Sequence, residues 1–123
     1  MQAQWLARVV EEPEFQNAPF RVLFCHIPLW WKDESEVGSF CADGRKKWHD
    51  LLAKGRVHVV VSGHTHEAAL LSPDASRPYS QLIGGGPKPA AATYIQGEVT
   101  QTRLKLTQRK LDGSLQYEID LPA

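Results

Sequence analysis

Residues 57–66 read VHVVVSGHTH, a run of valines that ends in serine, glycine and two histidines. A short apolar run rich in β-branched residues predicts a strand that is covered on both faces. Residues 20–25, FRVLFC, give a second such run, which we expect to be central, and His26 follows it. The segment between the runs is long enough for the crossover that parallel neighbours require. The two runs therefore predict a βαβ unit.

Two helices are expected beside these strands. Residues 2–12 place apolar side chains at helical spacing, and the proline that follows cannot continue the helix. A loop over residues 28–39 leads into the second helix, which is predicted to begin at Ser39 or Asp43. Gly55 is expected to end that helix in a left-handed conformation.

The remainder of the chain is predicted to form antiparallel strands, because short apolar pieces alternate with proline and glycine. Asp112 and Gly113 are a two-residue hairpin signal. A turn centred there sets Leu106 opposite Ile119, with apolar residues on one face and charged residues on the other. Residues 1–123 are thus predicted to be a single α/β domain, a βαβ unit that continues into an antiparallel β-meander.

Composition excludes several classes of function. Fourteen basic residues balance fourteen acidic ones, so no net field attracts nucleic acid or anionic lipid. The apolar runs are far shorter than the ~20 residues that span a bilayer. Residues 1–15 show no signal segment, so we expect either a cytoplasmic chain or one whose true start lies upstream. Cys25 and Cys41 have apolar surroundings and are predicted to remain reduced.

Three histidines follow the two predicted parallel strands, namely His26, His64 and His66. Loops at the carboxyl ends of such strands converge on one crevice, so we expect the three rings to be neighbours. Neutral imidazole is a common ligand for zinc, iron and manganese, and an extended backbone would aim His64 and His66 at the same side. A histidine at a strand end can equally make a structural hydrogen bond, and we interpret His49 and His58 in that way.

Residues 24–28, FCHIP, and residues 60–66, VVSGHTH, resemble the last two motifs of the calcineurin-like metallophosphoesterase family, a lone histidine and G-H-x-H. The earlier motifs D-x-H, G-D-x-x-D and G-N-H-[DE] are absent, so the resemblance implies the C-terminal portion of such a domain. It implies half of a four-layer α/β/β/α sandwich. It also implies that His26 and His64 bind one metal of a dinuclear Mn, Fe or Zn centre and that His66 binds the other.

The same resemblance implies a hydrolase module that acts on phosphoester substrates. Most of the family's metal ligands are missing, so we expect these 123 residues alone not to hydrolyse phosphoesters efficiently. Trp30 and Trp31 are candidates for a wall over the substrate, with packing within their own loop as the alternative, and Gly85 is a candidate for the rim of the cleft. The absent half would cover apolar sheet surface, which predicts a homo-oligomer or pairing with that N-terminal half.

Two other functions stay open at this point. The three histidines would suffice for a single zinc ion with water as the fourth ligand, which would make the chain complete in itself. The second open function is that of a non-catalytic, β-rich interaction domain that retains the histidines of an ancestral enzyme. Metal stoichiometry separates the two enzyme hypotheses, because the self-contained site holds one metal per chain.

Overall fold

The computed structural model describes residues 1–31 and 34–123, with residues 34–39 described by their backbone. The described strands form two sheets, a first sheet in the order β1-β2-β4-β3 and a second sheet in the order β5-β6-β7. The elements are α1 Gln2–Val9, α2 Pro13–Asn17, β1 Val22–Phe24, α3 Glu34–Lys54, β2 Val59–Ser62, β3 Ala69–Leu71, β4 Ser80–Ile83, β5 Thr93–Val99, β6 Arg103–Lys110 and β7 Leu115–Pro122. None of the described helices is both long and apolar enough to cross a membrane.

Strand β2 is buried on both faces and organises the layers. Because side chains alternate along a strand, Val60 points to one face and packs in the cluster that contains Leu52 of α3. Val59 and Val61 point to the other face and pack in a second cluster with Leu104 of β6. The described residues therefore form three layers, helices on the first sheet and the first sheet on the second. This arrangement confirms the predicted mixed α/β class.

Strand β1 pairs with β2 in parallel, with Val22 opposite Val59, and α3 lies between them in sequence. The βαβ prediction is therefore confirmed. The expectation that the first strand is central was wrong, because β1 is the end strand of its sheet. The side chain of Phe24 is 73% exposed. An apolar run indicates that the side chains of a strand are buried. It does not indicate whether both edges of the strand are hydrogen-bonded to neighbours, so the sequence could not distinguish a central strand from an end strand.

Strand β4 corrects the expectation of purely antiparallel strands after the βαβ unit. It pairs with β2 in parallel and with β3 antiparallel. Gln81 of β4 is polar, yet it is completely buried. Its Oε1 atom accepts hydrogen bonds from the backbone N–H groups of Leu29 and Trp30 at 2.9 and 3.1 Å. Burial of this amide is tolerated because the backbone of another segment satisfies it.

The C-terminal hairpin has the predicted register, with Leu106 opposite Ile119. These two side chains are buried between the sheets, and the charged residues lie on the outer face. There the Nε atom of Arg103 donates to Oδ1 of Asp120 at 2.7 Å. The strands β5, β6 and β7 are antiparallel neighbours in sequence order, so the expected β-meander is confirmed.

The boundaries of the helices differ from those expected. Helix α3 begins at Glu34, so neither Ser39 nor Asp43 is its cap, and residues 34–39 of the expected loop are helical. Residues 32–33 of that loop lie outside the described residues. The helix ends at Lys54, and the left-handed residue that follows it is Arg56, with a φ of 50°. The N–H groups of Arg56 and Val57 donate to carbonyls in the last turn, the pattern of a Schellman motif.

Gly55 serves close packing instead of ending the helix. A Cβ atom at this position would lie 2.9 Å from Cγ1 of Val10 and 3.1 Å from Cε1 of Phe15. Val10 is buried, so little room exists for it to move. The absence of a side chain at Gly55 therefore lets the end of α3 approach the segment that follows α1.

We predict that Gly55→Ala lowers the free energy of unfolding by about 1–3 kcal/mol, because the added methyl group overpacks the contact with Val10 and Phe15. Gly44→Ala is the matched control within α3. A Cβ atom at Gly44 meets nothing within 4 Å, so that variant is expected to be more stable by about 0.5–1 kcal/mol. Urea denaturation measures both changes. Equal stabilisation by the two substitutions would contradict the packing at Gly55.

Candidate functional site

His26 and His64 lie side by side at the carboxyl ends of β1 and β2. The Nε2 atom of His26 is 3.2 Å from the Nδ1 atom of His64, and the ring centroids are 5.1 Å apart. Both residues are exposed. The N–H group of Gly63 donates to the carbonyl oxygen of His26 at 3.0 Å, which continues the pairing of the two strands up to the histidines. The parallel register therefore brings these two predicted site residues together.

Phe40 of α3 contacts His64, and sequence analysis missed it. Its ring meets the ring of His64 edge-on, with centroids 4.8 Å apart. The contact restricts the imidazole from the helix side, while His26 restricts it from the neighbouring strand. The sequence signal for this residue is its position directly before Cys41, which is fully buried in the helix.

The turn after β2 has an unusual backbone. His64 and His66 have φ values of 71° and 59°. This left-handed conformation is rare for residues other than glycine. The N–H group of Thr65 donates to the carbonyl of Gly63 at 2.8 Å, which closes a γ-turn with His64 at its centre. The Thr65 hydroxyl also bonds to the backbone of Glu67. The extended backbone expected between the two histidines was wrong, and the Thr65 hydrogen bonds stabilise the turn.

His66 lies beside the glycine-rich loop that follows β4. A Cβ atom on Gly86 would be 2.9 Å from both Cβ and the carbonyl oxygen of His66. Among the side chains of residues 1–31 and 40–123, no three or more His, Cys, Asp or Glu residues are grouped so that they could hold a metal ion. The structure therefore brings together His26 and His64, and it does not join His66 to them in such a group. The assignment of all three as metal ligands stays a prediction.

The spacing of the pair fits two ligands of one metal ion. Two nitrogens bound at about 2.1 Å to a tetrahedral ion are about 3.4 Å apart. The separation of 3.2 Å between the His26 and His64 nitrogens is close to this value. Two nitrogens are nevertheless fewer than the three or four protein ligands of a zinc site, and a dinuclear site also needs bridging groups. The described residues fit part of a metal centre and do not fit a complete one.

The two tryptophans proposed as a substrate wall are packed within the fold. Trp31 is buried in a cluster with Cys41 and Ile83. The Nε1 atom of Trp30 donates to the hydroxyl oxygen of Tyr79 at 3.0 Å. These contacts join the two indoles to other elements of the fold and are not confined to their own loop, and contact of either indole with substrate stays a prediction.

Gly85 is required by a close approach of two loops. A Cβ atom there would lie 1.8 Å from the carbonyl oxygen of Ala91, which no small adjustment can relieve. The N–H group of Gly85 donates to Oγ1 of Thr93 at 2.9 Å. The glycine therefore fixes the loop after β4 against the start of β5. Its role at the rim of a substrate cleft stays a prediction.

The other histidines form hydrogen bonds within the fold, as interpreted from the sequence. The Nδ1 atom of His49 lies 2.8 Å from the hydroxyl oxygen of Tyr79. The Nδ1 atom of His58 accepts the backbone N–H of Arg21 at 3.0 Å. Burial, aided by the charge of Arg21, lowers the pKa of His58 below its ordinary value and favours the neutral ring.

The cysteine that precedes His26 is held as a thiol. Burial raises the pKa of Cys25 to about 11, so the protonated form dominates at neutral pH. Its Sγ atom donates to the carbonyl oxygen of Ile27 at 3.3 Å. Cys41 is buried, and the two cysteines are not joined by a disulfide bond. That both remain reduced stays a prediction.

The fold is similar to part of a purple acid phosphatase from yellow lupin (Lupinus luteus) seeds. The match covers 98% of this chain and 28% of that chain, with a TM-score of 0.75 and 15% sequence identity. Two structures of Vps29 from Entamoeba histolytica also match. The match to a single mutant covers 74% of this chain and 48% of the Vps29 chain, with a TM-score of 0.40 and 16% identity. The match to the wild type complexed with Zn²⁺ covers 85% of this chain and 56% of the Vps29 chain, with a TM-score of 0.44 and 15% identity.

No family profile and no curated protein matches the sequence. The likeness to the lupin enzyme shows that this chain shares the fold of a segment of that protein. The chain spans 28% of the length of that enzyme.

We predict that His64→Gly unfolds with a free energy about 1 kcal/mol higher than His64→Ala, because only glycine adopts the left-handed conformation without steric cost. Both variants lose the same imidazole contacts, so their difference isolates the backbone. His49 in α3 is the control position, where we expect alanine to be the more stable by about 0.5–1 kcal/mol. Urea denaturation of the four variants measures the two differences. A more stable alanine at both positions would contradict the geometry of the turn.

Proposed function

We propose that this chain is the C-terminal module of a metal-dependent phosphoesterase, in which His26, His64 and His66 donate imidazole nitrogens to a centre of two divalent ions. The observation that carries the proposal is the 3.2 Å separation of the His26 and His64 nitrogens at the ends of adjacent parallel strands. The fold shared with a segment of a purple acid phosphatase supports the same class of hydrolase. Mn, Fe and Zn are the candidate ions, since imidazole binds all three.

The chain itself positions the imidazole nitrogens of His26 and His64 next to each other. The left-handed turn and the edge contact with Phe40 hold the ring of His64 against that of His26. Both imidazoles are exposed at the carboxyl edge of the first sheet, where a phosphoester substrate and further ligands can reach them. When two such ions are bound, phosphoester hydrolysis takes its Lewis acidity and its activated water from them.

The remaining ligands come from polypeptide beyond these 123 residues, the missing N-terminal half. Two adjacent imidazoles leave most positions of an ion to water, and a carboxylate that could hold a second ion nearby is not grouped with them among the described residues. We therefore expect weak metal binding and no efficient catalysis by this chain alone. The self-contained zinc site is not retained, because it requires a third protein donor beside His26 and His64.

Isothermal titration calorimetry with ZnCl₂ tests the donor pair. We expect weak binding by the wild-type chain that both His26→Ala and His64→Ala abolish. His49→Ala is the matched control and is expected to bind zinc as the wild type does, because His49 bonds to Tyr79 away from the pair. Binding that survives both substitutions at the pair would overturn the proposal in favour of a non-catalytic domain.

Turnover of p-nitrophenyl phosphate with added MnCl₂ or ZnCl₂ tests whether the centre is incomplete. We expect no hydrolysis above the rate of the metal salt alone, since two neighbouring imidazoles leave most of the coordination to water. Hydrolysis at ordinary enzyme rates that His64→Ala removes would contradict the need for further ligands. Tight binding of one zinc ion per chain would instead restore the self-contained site.

A further inference from the structure

A buried glutamine, Gln108 of β6, interrupts the apolar face with which the second sheet packs against the first. Leu104 and Leu106 precede it on the same face, because side chains alternate along a strand, and both belong to the cluster between the sheets. Its register partners on that face are Ile95 and Tyr117. Gln108 itself has no exposed surface. A polar amide at such a position costs free energy unless its hydrogen bonds recover it.

The amide of Gln108 joins the two ends of the loop after β4, residues 84–92. Its Nε2 atom donates to the carbonyl oxygen of Ile83 at 2.9 Å and to Oγ1 of Thr93 at 3.1 Å. Ile83 is the last residue of β4 and Thr93 is the first residue of β5. The carbonyl oxygen can only accept, so the nitrogen of the amide must face it and the oxygen must face away. That Oε1 atom is buried and has no hydrogen-bond partner within the described part of the chain.

The unsatisfied oxygen makes Gln108 a poor choice for stability alone. A buried acceptor without a partner costs about as much free energy as two ordinary hydrogen bonds contribute. The net gain of the amide is therefore small, and its effect is to specify where the bonded groups lie. The pairing of β6 with β7 also shifts between Gln108 and Arg109. Irregularities of this kind re-aim a side chain and are frequent beside active sites.

The loop that Gln108 holds packs against His66. The N–H group of Gly85 donates to the same Oγ1 atom of Thr93 at 2.9 Å, so this hydroxyl group connects the amide to the loop. The next residue, Gly86, lies against His66, where an added Cβ atom would be 2.9 Å from both Cβ and the carbonyl oxygen of the histidine. A series of contacts therefore leads from the second sheet through Thr93 and the loop to His66.

We propose that Gln108 is a positioning residue for His66. Its amide fixes both ends of the loop after β4, and the loop in turn holds the left-handed backbone of His66 in place. His26 and His64 depend on a different constraint, the parallel pairing of β1 with β2. The second sheet thus positions the third histidine, whereas the first sheet positions the pair. The importance of this placement for metal binding rests on the proposed function, but the coupling of Gln108 to His66 does not.

NMR spectra of the imidazole protons in the full 123-residue chain, recorded without metal, test this coupling. The signals of His66 are assigned by their loss in His66→Ala. Gln108→Met replaces the amide with an unbranched apolar side chain of similar size. We expect it to shift or broaden the His66 signals and to leave the cross-peak between the rings of His26 and His64 intact.

Thr93→Val is a second variant that leaves Gln108 unchanged. It keeps the shape of the side chain and removes the hydroxyl group that accepts both hydrogen bonds. We expect it to shift the His66 signals as well. Leu106→Ala is the matched control on the same strand and face, because it removes packing between the sheets and keeps the amide. Its free energy of unfolding is expected to fall, while its His66 signals stay as in the wild type.

His66 signals that match the wild type in every folded variant of Gln108→Met and Thr93→Val would overturn the proposal. A shift of equal size in Leu106→Ala would also overturn it, because His66 would then respond to any loss of packing between the sheets. Since no metal is added, these results do not depend on whether the histidines bind zinc. Failure of the proposed function would instead appear in the zinc titration, with the His66 signals still responding to Gln108→Met.

Discussion

The burial of β2 on both faces is the constraint on which the rest of this structure depends. Val60 is fixed against the helices, while Val59 and Val61 are fixed against the second sheet. A shift of one residue would exchange these faces, so the register of β2 with its neighbours on either side is strongly specified. Everything that follows Ser62 is consequently held at a defined point on the carboxyl edge of the first sheet. That point is where His64 meets His26.

A rigid strand of this kind can hold a strained turn. Left-handed conformations at non-glycine residues cost on the order of 1–3 kcal/mol each and persist where the surroundings determine them. Both histidines of the turn adopt such a conformation, and Phe40 packs against the first of them. Strain of this type collects at functional sites, where the geometry that it produces is part of the mechanism. The product here is a pair of imidazole nitrogens at a separation suited to one metal ion.

The parts of the fold predicted from sequence are those encoded by a local repeating pattern. The β2 run and the hairpin at Asp112 are of this kind, because burial on both faces or strict alternation leaves a signature in the residues themselves. The edge position of β1, the burial of Gln81 and the left-handed backbone of His64 are set by contacts with distant segments. Gln81 illustrates the reason, since its amide is satisfied by backbone groups some fifty positions earlier, at Leu29 and Trp30. The proximity of His26 and His64 could be predicted from the parallel topology. The position of His66 beside the loop after β4 depends on the turn and could not.

The central claim is that the rings of His26 and His64 are in contact in the folded chain without any metal. Nuclear Overhauser effects between the ring protons of the two histidines, recorded on metal-free protein above pH 7, test it most directly. The structure predicts a cross-peak between the two imidazoles and another between His64 and Phe40, because the ring centroids are 5.1 and 4.8 Å apart. Both cross-peaks should vanish in His64→Ala and persist in His49→Ala. Their absence from the well-folded wild-type chain would contradict the account.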